Sequence, residues 1–330
     1  MPNRPSLNEL LHAASRTFAL GIDLLHEPLR TEIETAYLVL RVSDYLEDNE
    51  SMAPQIKVPL LERWAASLTS QEPDAALLEQ LSHVDDGTPD ALVARNAGRV
   101  HAALRALDAS ARDIIAQHTA DSTRGMARWT LAGDDFPSEE QLDDYMHEVA
   151  GRVGWLLTDL FALRIPGVAR RHEAMKQLGR EFGLALQTVN VIRGLHGDWK
   201  RGWIFIPDTF VPSGAPAAKE LLDGSVDDPG SEQRIVDQLV DKAERHLDAA
   251  RSYLIGLPRS AHRVRLFCML PWFFAVRTLA ISKANPQVFH AETKITRADV
   301  RRIARNAQLF GRSNLWLSWY GERLARVSGG

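Results

Sequence analysis

In the segment TAYLVLRVSDYLEDNE, Thr35 to Glu50, the residues Tyr37, Arg41, Asp44 and Asp48 follow one another at spacings of four, three and four. On a helix such spacings place all four side chains along one face. Leu38, Leu40, Val42 and Leu46 cover most of the remaining surface, so this helix is expected to be largely buried. Charges on a buried helix are costly unless they are paired or meet a cation. Asp44 and Asp48 repel each other one turn apart, and Glu47 adds a third carboxylate. A divalent cation relieves that repulsion. Oxygen ligands that leave part of the coordination to water or phosphate suit Mg²⁺, with Mn²⁺ as a substitute. The plain alternative is a solvated acidic helix end with Arg41 as an intrahelical partner.

A second polar face lies in GLALQTVNVIRGLHGDWKRGWIFIP, Gly183 to Pro207. Gly183, Gln187, Asn190, Gly194 and Asp198 recur at four, three, four and four, with Arg193 beside them. Buried amides demand partners, so this face is either a polar helix–helix contact or a binding surface. The basic residues Lys200 and Arg201, just past Asp198, suit closure over a diphosphate or an ordinary loop. A third segment, YMHEVAGRVGWLLTDLF, Tyr145 to Phe161, holds Gly151 and Gly154 inside a helical pattern. Glycines there serve close helix packing or leave room for a ligand. Glu148 lies three residues before Gly151, and His147 reads as a polar packing residue. Near the N-terminus, SRTFAL places Ser15 as a helix cap and Arg16 as a grip for phosphate.

The elements that must position these residues are helical throughout. Apolar residues recur three and four apart, whereas alternating β-branched runs and hairpin turns are missing. Helices are expected over about 28–48, 56–69, 75–83, 89–118, 138–163, 168–195, 232–255, 260–284 and 297–326. The stretch 207–230, rich in Pro, Gly and Asp, is expected to be a mobile loop. Composition does not shift across it, so residues 1–330 read as a single all-α domain.

The 330 residues carry a net charge of −4, which argues against a broad nucleic-acid footprint. One cysteine, Cys268, excludes an internal disulfide framework and a cysteine-rich zinc site. The first residues contain no apolar secretory core. The most apolar run, Leu266 to Val276, is short for a spanning helix and contains Pro271. A cytoplasmic chain without a transmembrane anchor is expected, with peripheral membrane contact and oligomeric state left open.

These segments, in the order SRTFAL, YLVLRVSDYLED, YMHEVAGRVG, GLALQTVNVIRG and RGWIFIP, resemble the squalene/phytoene synthase family. The resemblance runs from about Ser15 to Arg323, and the stretch Met269 to Arg297 looks more like the squalene synthases within it. It implies an isoprenoid-synthase helical bundle around a deep apolar channel. It also implies Mg²⁺-dependent 1′-1 condensation of two farnesyl diphosphates to presqualene diphosphate and NADPH-dependent reduction to squalene. By position, Asp44, Glu47, Asp48 and Asp198 are then the metal ligands. Ser15, Arg16, Phe18 and Gln187 contact substrate. Tyr37, Arg41, Glu148, Asn190 and Arg193 belong to the catalytic set, and Lys294 and Arg297 meet the NADPH phosphates. Phe18, Phe182 and Phe289 are candidates for the apolar wall that keeps a carbocation from water.

Three positions depart from the family pattern. The second acidic motif is usually a pair of aspartates four apart, and here it reads Gly194-Leu195-His196-Gly197-Asp198. Its ligand role is either weakened or shifted to Glu181, Asn190 or His196. Glu148 stands where eukaryotic squalene synthases carry a tyrosine, and Thr296 where they carry a basic residue. These departures keep other outcomes in view: presqualene diphosphate, dehydrosqualene or phytoene as product, ionisation of a single prenyl diphosphate, or a non-catalytic binding protein.

Overall fold

The computed structural model describes residues 5–285 and 287–326, together with the backbone but not the side chain of Arg16. Among the described residues there is no strand. The helices, in chain order, are α1 (Leu7–Ala14), α2 (Arg16–Ile22), α3 (Leu29–Asp48), α4 (Pro54–Thr69), α5 (Ala75–Ser82), α6 (Pro89–Arg95), α7 (Ala97–Ala106), α8 (Ala109–Ala132) and α9 (Glu139–Met146). They continue as α10 (Arg152–Arg164), α11 (Pro166–Ala169), α12 (His172–Lys200), α13 (Ala218–Leu222), α14 (Pro229–Gly256), α15 (His262–Lys283), α16 (Arg297–Phe310) and α17 (Asn314–Ala325). The all-α expectation therefore holds.

Local chemistry explains the boundaries. Ser6 and Glu9 form a reciprocal cap at α1, and Thr296 and Asp299 do so at α16. Pro54, Pro89 and Pro229 open α4, α6 and α14, where their missing N–H costs nothing. The helix expected over 89–118 is three helices. Asn96 breaks it first, and the Asp108 carboxylate then accepts the Ala111 N–H at 3.1 Å to start α8. The helix expected over 297–326 is two, because Ser313 caps α17 by accepting the Trp316 N–H at 3.2 Å. Helices α1 and α2 precede the first expected range, and Ser15 caps α2 as the SRTFAL segment suggests. Within 207–230 the chain makes a short 3₁₀ turn, Asp208–Phe210, and helix α13.

The chain divides into two compact units. The first comprises Met1–Ala132 and Trp155–His172. Its centre is α3, packed by α1, α4, α6, α7 and α8. Leu38, Val39, Val42 and Leu46 are fully buried in that packing. Ser43 and Thr123 join α3 to α8 through a buried hydroxyl pair 2.7 Å apart. Glu32, almost inaccessible, is bound by Arg164, which also binds Asp108.

The second unit comprises Gly133–Gly154 and Glu173–Gly330. Its core helix is α15, which packs α14, α16 and α17. It is the one helix among the described residues long and apolar enough to cross a membrane, and most of its apolar window is buried inside the protein. Fully buried Arg265 on α15 donates to the carbonyl oxygens of Leu254 (2.7 Å) and Leu257 (2.8 Å) and to Asn314 Oδ1 (2.7 Å). One guanidinium thus satisfies orphan carbonyls at the end of α14 and fastens them to the start of α17.

Between α9 and α10 the residues His147–Gly151 form a π-helical turn. On either side of it the backbone runs against α12. A Cβ at Gly154 would overlap the Gly179 carbonyl oxygen, and one at Gly183 would overlap the Ala150 carbonyl oxygen. The glycines of the third segment therefore serve close packing. Gly183→Ala is expected to lower the unfolding midpoint by the equivalent of about 2 kcal/mol or more, since backbone cannot yield as a side chain can. Gly98→Ala, whose new Cβ would meet only Leu78 Cδ1 at 3.8 Å, is expected to leave the midpoint unchanged or raise it. Thermal melts of the two variants check the contrast.

Candidate active-site faces

In the first unit the chemistry sits on α3. Arg41 is shared between two carboxylates. Its Nη1 donates to Asp44 Oδ2 at 2.8 Å, its Nε donates to Asp90 Oδ1 at 3.1 Å, and its Nη2 also reaches Asp90. Burial by itself would lower the Arg41 pKa, but Asp44, Tyr37 and Asp90 hold it above its ordinary value. Asp90 was missed in the sequence. Thr88, Pro89 and Asp90 announce a helix start, but nothing in them names a partner 49 residues away.

Asp44 is pushed up to about 6, chiefly by burial, with Asp48 and Asp90 adding to the shift and Arg41 opposing it. Glu47 is raised well above the usual carboxylate range by burial and by Asp48 and Asp44. Its Oε1 is buried and has no hydrogen-bond partner. Asp48 is exposed at the last turn. Lys57 Nζ donates to the Glu47 main-chain oxygen at 2.5 Å, so it caps the helix end rather than bridging the carboxylates. Three carboxylates on one turn, with a buried oxygen left unpartnered, form a donor set that fits a hard divalent cation. Ser15 Oγ caps α2 by accepting the Phe18 N–H at 3.2 Å. Burial raises the Tyr37 pKa, so its phenol is neutral at pH 7. Phe18 is 42% exposed, with its ring 5.9 Å from that of Tyr37. The side chain of Arg16 lies outside the described residues.

In the second unit the face is on α12. Gln187 and Arg193 are half-buried, Asn190 is exposed and Asp198 is buried. Asp198 is ion-paired with Arg201. Its carboxylate also leans over Gly194, where a Cβ would stand 3.5 Å from Oδ2, an ordinary contact. Glu181, like Asp198, is already paired. Its Oε2 lies 2.6 Å from His246 Nδ1, and its Oε1 accepts from Arg180 Nη1 at 2.8 Å. His246 belongs to a cluster with Glu139 and Asp143, and fully buried Lys242 already supplies the cation there through Asp143. His196 has a buried Nδ1 without a hydrogen-bond partner. It is held below the usual histidine range by burial and then by Lys200 and His290.

The segment after Asp198 is pinned. The Trp203 N–H donates to the Asp198 carbonyl oxygen at 3.0 Å across Gly202, whose φ of 85° favours glycine. The rings of Trp203 and Phe205 stack 5.4 Å apart, and Tyr145 stacks on both. Glu148, in the π turn, is ion-paired with Arg152. His147 is lowered to about 4, first by burial and then by Arg152, so it is neutral at pH 7. Phe182 and Phe289 are buried, Phe182 against Tyr253. Lys294 is mostly exposed, and its Nζ lies 2.6 Å from Glu292 Oε2. Arg297 opens α16 on the surface. The Thr293 N–H donates to the Arg193 carbonyl oxygen at 3.1 Å, which ties this segment to α12.

Two measurements follow from these faces. The Asp44 carboxyl titrates near 6 when folded and near 3.8 otherwise, so the folded chain holds its proton more tightly. Stability therefore falls as pH rises from about 4 to about 6. Asp44→Asn is expected to flatten that part of the profile. At pH 7 without divalent cations the variant is expected to exceed the parent by on the order of 1 kcal/mol. In the second unit, Gly194→Asp sets a carboxylate beside Asp198. It is expected to lower the melting midpoint without divalent cations, and Mg²⁺ is expected to restore it.

The squalene/phytoene synthase family model matches residues 11–299. Squalene synthase ERG9 of Candida albicans is 30% identical over 305 residues, covering 89% of this chain and 65% of that protein. Squalene synthase 3 of Panax ginseng is 27% identical over 94% of this chain and 70% of its own length. The chain thus spans about two thirds of the length of these relatives. Among solved structures, a complex of TcSQS with the ligand BPH1237 has a TM-score of 0.79 at 24% identity, covering 98% of this chain and 91% of that one. A dehydrosqualene synthase in complex with ligand has a TM-score of 0.64 at 14% identity, covering 92% and 94%. The five motifs in order, the α3 carboxylates, the all-α fold and the match over most of the chain together establish that it belongs to the squalene/phytoene synthase family.

Proposed function

We propose that this chain is a squalene-synthase-type enzyme that joins two farnesyl diphosphates head to head, through presqualene diphosphate, to squalene, with NADPH as reductant. The observation that carries the reading is the turn of α3 in which Asp44, Glu47 and Asp48 crowd together beside Arg41. Diphosphate leaves only when its charge is neutralised, and a divalent cation supplies that neutralisation when bound. Asp44, Glu47 and Asp48 are the residues proposed to hold it on α3, and Asp198 is the proposed cation ligand of the α12 face. The chain's own contribution is positional. Arg41, braced by Asp90, fixes the Asp44 carboxylate and presents a permanent positive charge. Tyr37, a neutral phenol, offers a hydroxyl donor to a diphosphate oxygen. Gln187, Asn190 and Arg193 are the proposed polar contacts of the second face.

The reductive half has thinner support from the residues. Lys294 is committed to Glu292 in an ion pair that a cofactor phosphate would have to displace. Glu148 is paired with Arg152 and would need that pair opened to accept a proton. A second reading rests on Gly194. With one carboxylate on α12, the chain is an enzyme of the same family that releases presqualene diphosphate, dehydrosqualene or phytoene, or ionises a single prenyl diphosphate.

Incubation with farnesyl diphosphate and Mg²⁺, with and without NADPH, separates these readings. Squalene only with NADPH is the expected result, while an unchanged product profile without it removes the reductive assignment. Parallel reactions with geranylgeranyl diphosphate test the phytoene alternative. Asp44→Asn is expected to lower diphosphate release by about 100-fold or more while the circular dichroism spectrum stays helical. Full activity of that variant at ordinary Mg²⁺ would remove the α3 face from the proposal.

A further inference from the structure

The end of the second unit formed by the α14–α15 and α16–α17 turns has a surface that the proposed reaction does not use. From Arg301 to Arg326 the chain carries six arginines against one carboxylate, Glu322, although the whole chain is net negative at −4. Large apolar side chains stand exposed in the same stretch: Leu309 at 68%, Phe310 at 52%, Leu315 at 85% and Trp319 at 53%. Soluble proteins scatter such residues singly, whereas here four fall within eleven positions on α16 and α17.

The arrangement alternates the two chemistries. On α16, Arg301, Arg305 and Leu309 follow at intervals of four and share a face. Arg312 stands between Phe310 and Leu315. On α17, Leu315, Trp319 and Arg323 again follow at intervals of four, with the Arg323 guanidinium 5.6 Å from the Trp319 ring centre. The neighbouring turn contributes Arg259 and Ser260. With Arg312 and Ser313 they line an open hollow of about 550 Å³. Arg263 and the half-buried His262 follow on α15. Beneath the hollow, buried Arg265 fastens the two turns through Leu254, Leu257 and Asn314, so the surface is preformed.

We infer that this face docks on an anionic phospholipid surface, with Leu309, Phe310, Leu315 and Trp319 entering the headgroup–acyl boundary and Arg259, Arg312 and their neighbours meeting lipid phosphates. Leucine, phenylalanine and tryptophan flanked by arginine is the composition that suits the boundary between water and acyl chains. A nucleic acid would use the arginines and leave the leucines wet. A second copy of the chain would bring like charges together. The inference is independent of the reaction proposed above.

Sedimentation of the full chain with phosphatidylcholine vesicles, and with vesicles in which about a third of the lipid is phosphatidylglycerol, tests the assignment. Binding is expected only to the anionic vesicles and to weaken with salt. Arg259→Ser with Arg312→Ser is expected to lower the partition coefficient about thirtyfold, at about 1 kcal/mol for each basic residue near the surface. Leu309→Ser with Leu315→Ser is expected to lower it about tenfold or more, through the lost apolar burial. All four residues are exposed, and unchanged melting curves show that the fold is kept. Absence of sedimentation with anionic vesicles would overturn the inference, as would binding that both pairs leave intact. Sensitivity to the arginine pair alone, matched by equal loss of binding to duplex DNA, would mark a general polyanion surface and overturn it. Self-association without lipid that the leucine pair abolishes would mark a copy-to-copy interface and overturn it too.

Discussion

The first unit is organised around a repulsion. Asp44, Glu47 and Asp48 share one turn of a helix whose other sides are packed by four or five neighbours. Lys57 donates to the Glu47 main-chain oxygen and only partly offsets the Glu47 carboxylate, and Arg41 is divided between Asp44 and Asp90. The Asp44 and Glu47 carboxyls are therefore held above the ordinary carboxylate range, and an unpartnered buried oxygen is left on Glu47. A folded protein tolerates such a cost where the missing charge arrives with a ligand. The packing of α3 by α1, α6, α7 and α8 then reads as the frame that keeps this turn from relaxing outward.

The second unit handles charge in the opposite way. Around α12 its carboxylates are paired: Glu181 with His246 and Arg180, Asp143 with Lys242, Glu148 with Arg152 and Asp198 with Arg201. Only the amides of α12 remain as neutral polar groups along its face. The two units thus offer different electrostatic materials. One has surplus negative charge and the other has satisfied pairs beside a single glycine where a second acid is usual.

Much of this was legible in the residues. The four-three-four spacing of Tyr37, Arg41, Asp44 and Asp48 located the α3 face because helical periodicity and burial both act locally. The same logic located α12, and the order of the motifs carried the family. What could not be read was anything set by long-range packing. Asp90 reaches Arg41 across 49 positions, and no local pattern announces it. The choice between ligand room and close packing at Gly151 and Gly154 depended on where α12 runs. Phe182 and Phe289, read as wall residues, are buried, and an apolar residue looks the same in sequence whether it lines a space or fills one. The long helices expected over 89–118 and 297–326 failed at Asn96, Asp108 and Ser313, where a polar side chain caps better than it continues.

The π turn at His147–Gly151 has a consequence for how this chain is compared with its relatives. A π turn is in effect one extra residue accommodated in a helix, and each residue rotates the helix by about 100°. Losing that residue would mend the α-helical ladder but swing Gly154 away from the Gly179 carbonyl and put a side chain in its place. Change here is therefore constrained in length as well as in kind. Relatives are expected to keep the count of residues between Tyr145 and Gly154 even where they exchange the residues themselves, so an alignment gap in this interval marks a helix with a different phase.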